Sequence, residues 1–410
     1  MSDRPDAHRR WPADLLRLGW ISLWMDVASE MSTPLIPLYL GTLAAAPGLA
    51  LGWIEGTTRA LHALLTAFAG WHSDRARRRV PYVRWGYGLA VTSKVALAAV
   101  TSWPVLLGLR LVDRLGKGLR TAPRDALIVE YAGGRRGAAF GLHRAMDTAG
   151  ALIGVLVAAA LMAWMPGRYR LVFALSALPG LLALGLALRL REPARAPTTT
   201  PGRTSPGQSI GALPRACRIA CGLQAWLSLA TLSESFLVLR ASEQGLGDAT
   251  TLLAYALFNA VYAASALPAG RLSDAIGRRA LLGLGAGLHA ATLLAALALE
   301  GANVTWLFAL FGLQQGLTQG AGKAWVADRA PAELRATALG VLQLGNGLAL
   351  LAGGLLAGSL WAGPGPDAAF ATLAALGAVG VVALVVLGGE PPETVPSPRP
   401  PGEDARDGAR

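Results

Sequence analysis

Charge is what this chain has least of. Charged residues are 15% of its 410 residues, where a soluble globular chain carries roughly a quarter, so most of its surface is not built to face water. Cysteine is nearly absent. Cys217 and Cys221, four apart at the start of one apolar run, are the two present, which leaves them as small packing residues without redox or metal function. There is no Walker or other nucleotide motif, which argues against ATP-driven pumping. No nucleophile–base pair or metal-ligand constellation stands out, so an enzyme is not expected, nor a metal or a cofactor. The opening MSDRPDAHRRW carries charge but no cleavable signal pattern, and the first apolar run is expected to insert and stay.

What the chain does have is length of apolar sequence. Hydrophobic residues make up 53% and the mean hydropathy is +0.44. Apolar runs of 18 residues or more recur from end to end, each able to cross a bilayer core of about 30 Å. The approximate spans are 14–41, 49–71, 82–100, 103–127, 138–163, 169–190, 215–240, 250–271, 279–299, 304–327, 337–361 and 367–389. The 50 glycines suit close approach of membrane helices. The reading is an all-α membrane protein of twelve transmembrane helices. Residues 1–190 form an N-terminal six-helix bundle and 215–389 a C-terminal one. The stretch 191–214, rich in Pro, Thr, Ser and Gly, is a cytoplasmic linker. From Glu390 to the end the chain is a Pro-rich, disordered cytoplasmic tail.

The net charge of +12 does not indicate nucleic-acid binding, because the basic residues sit in short clusters between spans. One set of loops holds Arg17, Arg75, Arg78, Arg79, Arg135, Arg136, Arg191, Arg278, Arg279, Arg329 and Arg335, with further arginines nearby. The opposite loops hold little beyond Arg168, Arg170 and Arg240. That asymmetry places both termini and the linker in the cytoplasm of a cell, or inner, membrane.

The chain also repeats itself. Gly70-Trp-His-Ser-Asp74-Arg75-Ala-Arg77-Arg78-Arg79 follows the second span, and Gly270-Arg-Leu-Ser-Asp274-Ala-Ile-Gly-Arg278-Arg279 follows the eighth, with Gly, Ser, Asp and the Arg pair in register. Here the sequence resembles the major facilitator superfamily, whose loop between the second and third helices carries G-x-x-x-D-R-x-G-R-R, with a relic between the eighth and ninth. Arg77 stands where that motif has its glycine. The segment from Leu109 to Asp125 is similar to an expanded form of the family's fourth-helix motif. Together with Asp26 to Met31 and His143 to Asp147 it resembles a prokaryotic, drug- or metabolite-efflux-like branch. The resemblance implies two six-helix bundles about a pseudo-two-fold axis, a site near the midplane, and Gly70, Asp74, Arg75, Arg78, Arg79, Gly270, Asp274, Arg278 and Arg279 as a latch that holds the halves in the outward-facing state. It also implies that helices 1, 2, 4 and 5 and their partners 7, 8, 10 and 11 line a central cavity.

Ionisable groups within a bilayer are costly, about 2.5–3.5 kcal/mol each on insertion scales, so they should face a cavity. They gather on the helices just named. Asp26 and Glu30, four apart on the first span, have no cation nearby on their own helix and are the first candidates for proton carriers, with Glu55 and Asp147 next. Arg59, Arg110, Asp113, Arg114, Lys117 and Arg144 are candidate cavity charges, and Arg110, Arg114, Lys117 and Arg124 fall close to one helical face. Pairs on a single helix are expected between Glu55 and Arg59, Arg144 and Asp147, and Asp113 and Lys117. Aligning the halves pairs Arg59 with Asn259, Arg144 with Gln343 and Asp147 with Asn346. The second half therefore offers a more neutral wall: Gln314, Gln315, Gln319, Gln343 and Asn346, with Glu234 and Lys323 as its remaining charges. Pro34 and Pro37 lie where the first helix could kink.

The function expected is secondary active transport of a small organic solute by alternating access, as proton-coupled export (an antiporter). The partners are that small-molecule substrate, protons and the lipid bilayer, and the protein is expected to be a monomer. The alternatives are an importer of an organic anion, or a transport-inactive membrane receptor or scaffold that kept the fold.

Overall fold

The computed structural model describes residues 11–76, 78–132, 135–193, 211–331 and 334–389. Most of the expected linker, and the tail from 390, lie outside them, as do Arg77 and the side chains of Asp74 and Arg136.

The described residues form fourteen α-helices arranged as twelve membrane columns. The first column is α1 (Ala13–Ser32) and α2 (Leu35–Leu43), followed by α3 (Pro47–Ala76), α4 (Val80–Leu97), α5 (Trp103–Tyr131), α6 (Arg136–Trp164) and α7 (Tyr169–Ala187). The second half opens with α8 (Arg215–Leu229) and α9 (Glu234–Glu243), followed by α10 (Asp248–Ile276), α11 (Arg278–Ala295), α12 (Thr305–Ala327), α13 (Arg335–Ala362) and α14 (Pro366–Leu387). These match the expected spans closely. Six columns, α6, α7, α8–α9, α10, α13 and α14, are long and apolar enough on their own to cross a bilayer. The others include those bearing the charges and amides of interest.

The first column of each half is broken. Thr33 and Pro34 separate α1 from α2. Pro37 falls in the first turn of α2, where its missing N–H removes no helical bond. Four residues, Ala230 to Ser233, separate α8 from α9 without any proline. The Ser233 side chain accepts from the Ser235 N–H at 3.3 Å, and Glu234 follows in the first turn, where a carboxylate complements the helix dipole. This second break was not expected.

Call the near end the one where α1 begins and α14 finishes. At the far end one apolar core joins both halves, running from Met31, Ile36 and Tyr39 to Phe236, Tyr255 and Trp361. At the near end there are two separate cores. One is built on Leu18, Val83 and Leu127, the other on Cys217, Leu281 and Trp325. The halves are thus sealed together at the far end and apart at the near end.

Glycine permits the seal. A Cβ on Gly52 of α3 would lie 2.4 Å from the Gly354 carbonyl oxygen of α13, and one on Gly358 would lie 2.7 Å from that of Gly48. Only bare backbone fits at such a crossing. Tyr169 adds a cross-half hydrogen bond to Asp248 at 2.7 Å. Around the outside, Leu178, Leu181 and Leu182 of α7 and Val382, Val385 and Val386 of α14 are exposed, the surface a lipid solvent requires.

Candidate functional site: two cavities and a cross-half ionic clasp

The break between α8 and α9 brings Ser233, Glu234 and Ser235 against α3. Glu55 and Arg59, one turn apart on α3, meet them there. Arg59 Nη2 donates to both carboxylate oxygens of Glu234 at 3.0 Å and to Ser233 Oγ at 2.9 Å, while its Nε donates to Glu55 Oε2 at 3.2 Å. The hydroxyls of Ser233 and Ser235 donate to Glu55 Oε2 and Oε1, each at 3.0 Å. Side-chain exposure is 11% for Glu55, 29% for Arg59 and 22% for Glu234, so water competes only partly. The expected Glu55–Arg59 pair is present. Glu234, expected on the substrate wall, does line a cavity, but its carboxylate is engaged by Arg59.

Behind the clasp, α5 meets α4. Asp113 is buried and accepts from Lys94 Nζ at 3.2 Å, with Arg110 Nη1 at 3.6 Å and Arg114 Nε at 3.7 Å. The expected Asp113–Lys117 pair does not form, because Lys94 of the neighbouring helix reaches the carboxylate first. Arg110, Asp113 and Arg114 line neither cavity. They lie on the part of α5 nearer the sealed end, where Arg110 and Arg114 act electrostatically on Glu55.

Toward the open end the same stripe of α5 faces a cavity of about 310 Å³ in the first half. Asp26, Lys117, Arg120, Arg124, Arg144 and Asp147 line it, with His62, Tyr87, Asn259 and Tyr262. Arg120 lies 4.5 Å from the centre of the Tyr87 ring and donates to the Gly86 carbonyl at 3.3 Å. Arg124 donates to Asp125 at 3.0 and 3.1 Å and to Ser22 at 3.3 Å. Asp147 pairs with His143 Nδ1 at 3.5 Å and not with Arg144, which instead donates to the Tyr262 hydroxyl at 2.9 Å. Among the described residues neither Asp26 nor Lys117 has a direct hydrogen-bond or ion-pair partner, and the two interact electrostatically. Glu30 lines neither cavity. Its Oε2 is buried and without a partner among the described residues, and it interacts with Tyr255 and Lys117.

A second cavity, also about 310 Å³, lies in the second half and is lined by Arg59, Gln224, Glu234, His289, Gln314, Gln315, Thr318, Gln319, Lys323 and Asn346 among others. Gln314 donates to Thr318 at 3.3 Å. Gln315 Oε1 and Asn346 Oδ1 are buried without a partner among the described residues. Gln343 is exposed and lines neither cavity, so aligning it with Arg144 did not predict its place. Tyr262 donates to Gln319 Oε1 at 2.7 Å, which ties the two cavity walls together through Arg144, Tyr262 and Gln319. Equivalent positions sit in opposite cavities: Arg59 of the first half lines the second cavity, and Asn259 of the second half lines the first. The reason is packing, since α3 leans on α13 and α10 leans on α6.

Among the described residues, the hydrogen bonds of the duplicated loop motif run within each half. Arg79 donates to Glu130 at 2.7 Å, and its backbone N–H to Glu192 at 2.8 Å. Arg278 donates to Asp328 at 2.5 Å and to Asp274 at 3.1 Å, and Arg279 donates to the carbonyls of Leu384, at 3.0 Å, and Val385. Arg75 lies 5.9 Å from the Trp71 ring centre. Gly277, the motif glycine of the second copy, has φ +88° and joins α10 to α11, a conformation that favours glycine.

Lys94, Gln224, Ser233, Ser235, Tyr255, Tyr262 and His289 were not anticipated. Ser233 followed by Glu234 is a legible helix-start signal. Tyr255, Asn259 and Tyr262 share one face of α10 by spacing. Nothing in the sequence pointed to Lys94 as the partner of Asp113.

The profile of the Major Facilitator Superfamily matches residues 19–237 and 216–407. An uncharacterized MFS-type transporter of Methanocaldococcus jannaschii is 31% identical over 351 residues, covering 84% of this chain and 87% of its own. An uncharacterized protein of Mycobacterium tuberculosis is 29% identical over 357 residues, covering 84% and 85%. Among solved structures, a bacterial homolog of the human lysosomal transporter Spinster, inward-facing and unoccupied, superposes with TM-score 0.68 at 21% identity over 92% of this chain and 95% of its own. The nucleoside transporter NupG superposes with TM-score 0.73 at 13% identity over 93% of this chain and 100% of its own. At these identities the two structures bear on the fold alone.

Proposed function

The chain belongs to the major facilitator superfamily and is a multi-pass membrane transporter, and on that premise we propose that it moves a small organic solute by proton-coupled export. Residues 1–190 and 215–389 are the two moving bundles. The arginine-rich loops support a cytoplasmic near end, and on that reading the near-end opening is the cytoplasm-open state of an alternating-access cycle. The observation that carries the reading is the arrangement of seal and cavities. Among the described residues the halves share a core only at the far end, and a charged cavity and an amide-rich one open toward the other end.

Coupling to protons is supported by Asp26, a carboxylate that lines the solute's own cavity without a direct partner. A group so placed is reached by proton and solute alike. Competition between them is what exchange requires. Glu30, behind it, is the second candidate carrier.

The test is proton flux in proteoliposomes carrying an internal pH dye and offered organic anions, cations, zwitterions and neutral compounds. Substrate-dependent proton movement that is lost in Asp26→Asn or Glu30→Gln is the expected result. If a compound crosses at an unchanged rate in both variants with no proton movement, proton coupling through these residues is wrong. If nothing crosses while a compound still binds, the receptor alternative holds.

A further inference from the structure

The charges of the first cavity divide into those already engaged and those left over, and the remainder indicates what the cavity is shaped to hold. Arg124 is neutralised by Asp125. Asp147 has His143 Nδ1 3.5 Å from one carboxylate oxygen, while its other oxygen is buried without a partner among the described residues. Arg120 is packed on the Tyr87 ring and the Gly86 carbonyl. Across the halves, Arg59, Glu55 and Glu234 satisfy one another. Two ionic groups remain facing the cavity with no direct partner among the described residues, Asp26 on α1 and Lys117 on α5. Arg144 lines the same cavity with a single hydrogen bond, to a neutral phenol. One carboxylate opposite one or two cations, in a space that water shares, is a site for a molecule bearing both charges. Beyond Tyr262, the second cavity offers Gln314, Gln315 and Asn346, amides that donate and accept hydrogen bonds but carry no charge, on a lining that also holds Lys323 and the clasped pair Arg59 and Glu234.

Resting on the transport function proposed above, we propose that the solute is a small amphoteric molecule, its ammonium group on Asp26, its carboxylate between Lys117 and Arg144, and its neutral polar body against the glutamine–asparagine wall of the other half. Such a ligand replaces the water around both unpaired charges at once. A purely cationic solute brings no counter-charge to Lys117 or Arg144. A purely anionic one leaves Asp26 desolvated without a partner, and an unpaired buried charge is the costlier arrangement. Cavities of this size lie at the small end of ligand sites, which suits a metabolite of amino-acid or short-peptide dimensions. Because the ammonium group and a proton would both neutralise Asp26, the same residue would link solute binding to proton release.

The test is equilibrium binding to the full-length protein purified in detergent, read by intrinsic tryptophan fluorescence and thermal shift. It needs neither transport nor a proton gradient. Glutamine, glycylglutamine and γ-aminobutyrate are each offered in three forms: the zwitterion, the cationic carboxamide and the N-acetylated anion. The expected result is that at least one zwitterion binds tenfold or more tightly than both of its singly charged forms. Asp26→Asn should remove its advantage over the N-acetylated form, and Lys117→Gln its advantage over the carboxamide. Asp26→Glu and Lys117→Arg, which keep the charges, should preserve both advantages and show that the variants fold. Equal binding of a singly charged form, a preference unchanged in both neutralised variants, or no binding by any of the zwitterions overturns the proposal. Flux of a singly charged or neutral solute would leave transport standing while this inference fell. Binding of a zwitterion without flux would do the reverse.

Discussion

Arg59 of the first half and Glu234 of the second face each other so that one guanidinium nitrogen lies 3.0 Å from both carboxylate oxygens. The pair exists because the seventh column breaks at Ser233, which turns Glu234 toward α3. Arg59→Gln would leave Glu55 and Glu234 as neighbouring carboxylates with their shared cation gone. Breaking a fully buried pair costs roughly 3–5 kcal/mol. With the partial exposure here we expect about 2 kcal/mol against the far-end-closed state, roughly a thirtyfold shift in the conformational equilibrium. Distance measurements between spin labels at the far ends of α2 and α9 should show the halves apart. Glu234→Gln added to Arg59→Gln should restore part of the closed population, and a fully additive double mutant would contradict the coupling.

The glycine seal makes a separate prediction. Gly52→Val places side-chain atoms where the Gly354 carbonyl already stands, so α3 and α13 must separate. A cysteine placed at Gln315 on the cavity wall, with Cys217 and Cys221 replaced by alanine, should then react with probes applied from the far side faster than the same cysteine without Gly52→Val. Gly108→Ala, at a position with open space around it, is the control and should change nothing.

Lys94→Leu removes the closest partner of buried Asp113 and leaves Arg110 and Arg114 at 3.6 and 3.7 Å. Two cations remain, so the loss should be moderate, about 2–3 kcal/mol, seen as a lower thermal midpoint in detergent. Lys94→Leu with Asp113→Leu should recover much of it, since the desolvated carboxylate is gone as well. Unchanged stability in the single variant would mean that the pair contributes nothing.

Ser233→Ala deletes the acceptor that caps α9, together with contacts to both Arg59 and Glu55. The cap alone is worth about 1 kcal/mol. Ser235→Ala removes one bond to Glu55 and should cost less. Thermal midpoints of the two variants test that order.

The latch residues give a contrast between states. Arg79–Glu130 and Arg278–Asp328 lie within single halves here. Arg278→Ala should therefore leave the stability of this open state nearly unchanged, exposed pairs being worth about 0–1 kcal/mol. If the motif latches the halves in the opposite-facing state, the same substitution should deplete that state, which accessibility of near-end cysteines would report.

How much could be read in advance differs between fold and site. The column boundaries were legible because an apolar run long enough for a bilayer has few other uses. The break at Pro34 was legible from proline itself. The break at Ser233 was missed because no residue there forbids a helix. It forms where Ser233 and Ser235 find Glu55, and where the Leu232 N–H finds His289 at 3.4 Å, contacts that exist only once the bundle is packed. Asp26 and Lys117 were picked out as charges on cavity-lining helices, and both do line a cavity. Arg110 and Asp113 share that stripe of α5 yet are buried toward Lys94. Periodicity assigns a face to a residue but not a depth.

By itself the sequence determined that this protein lives in a membrane, that it has twelve columns in two related halves, and which columns bear charge. Those follow from hydropathy and repetition, properties each segment carries alone. Only the tertiary structure decided which charges cancel and which remain. A side chain reaches a partner on another helix only when packing brings one within about 3–4 Å, and that distance is set by the helix crossings, glycine against glycine at the far end. Lys94 took Asp113, Glu234 took Arg59, and Asp26 and Lys117 were left facing the cavity.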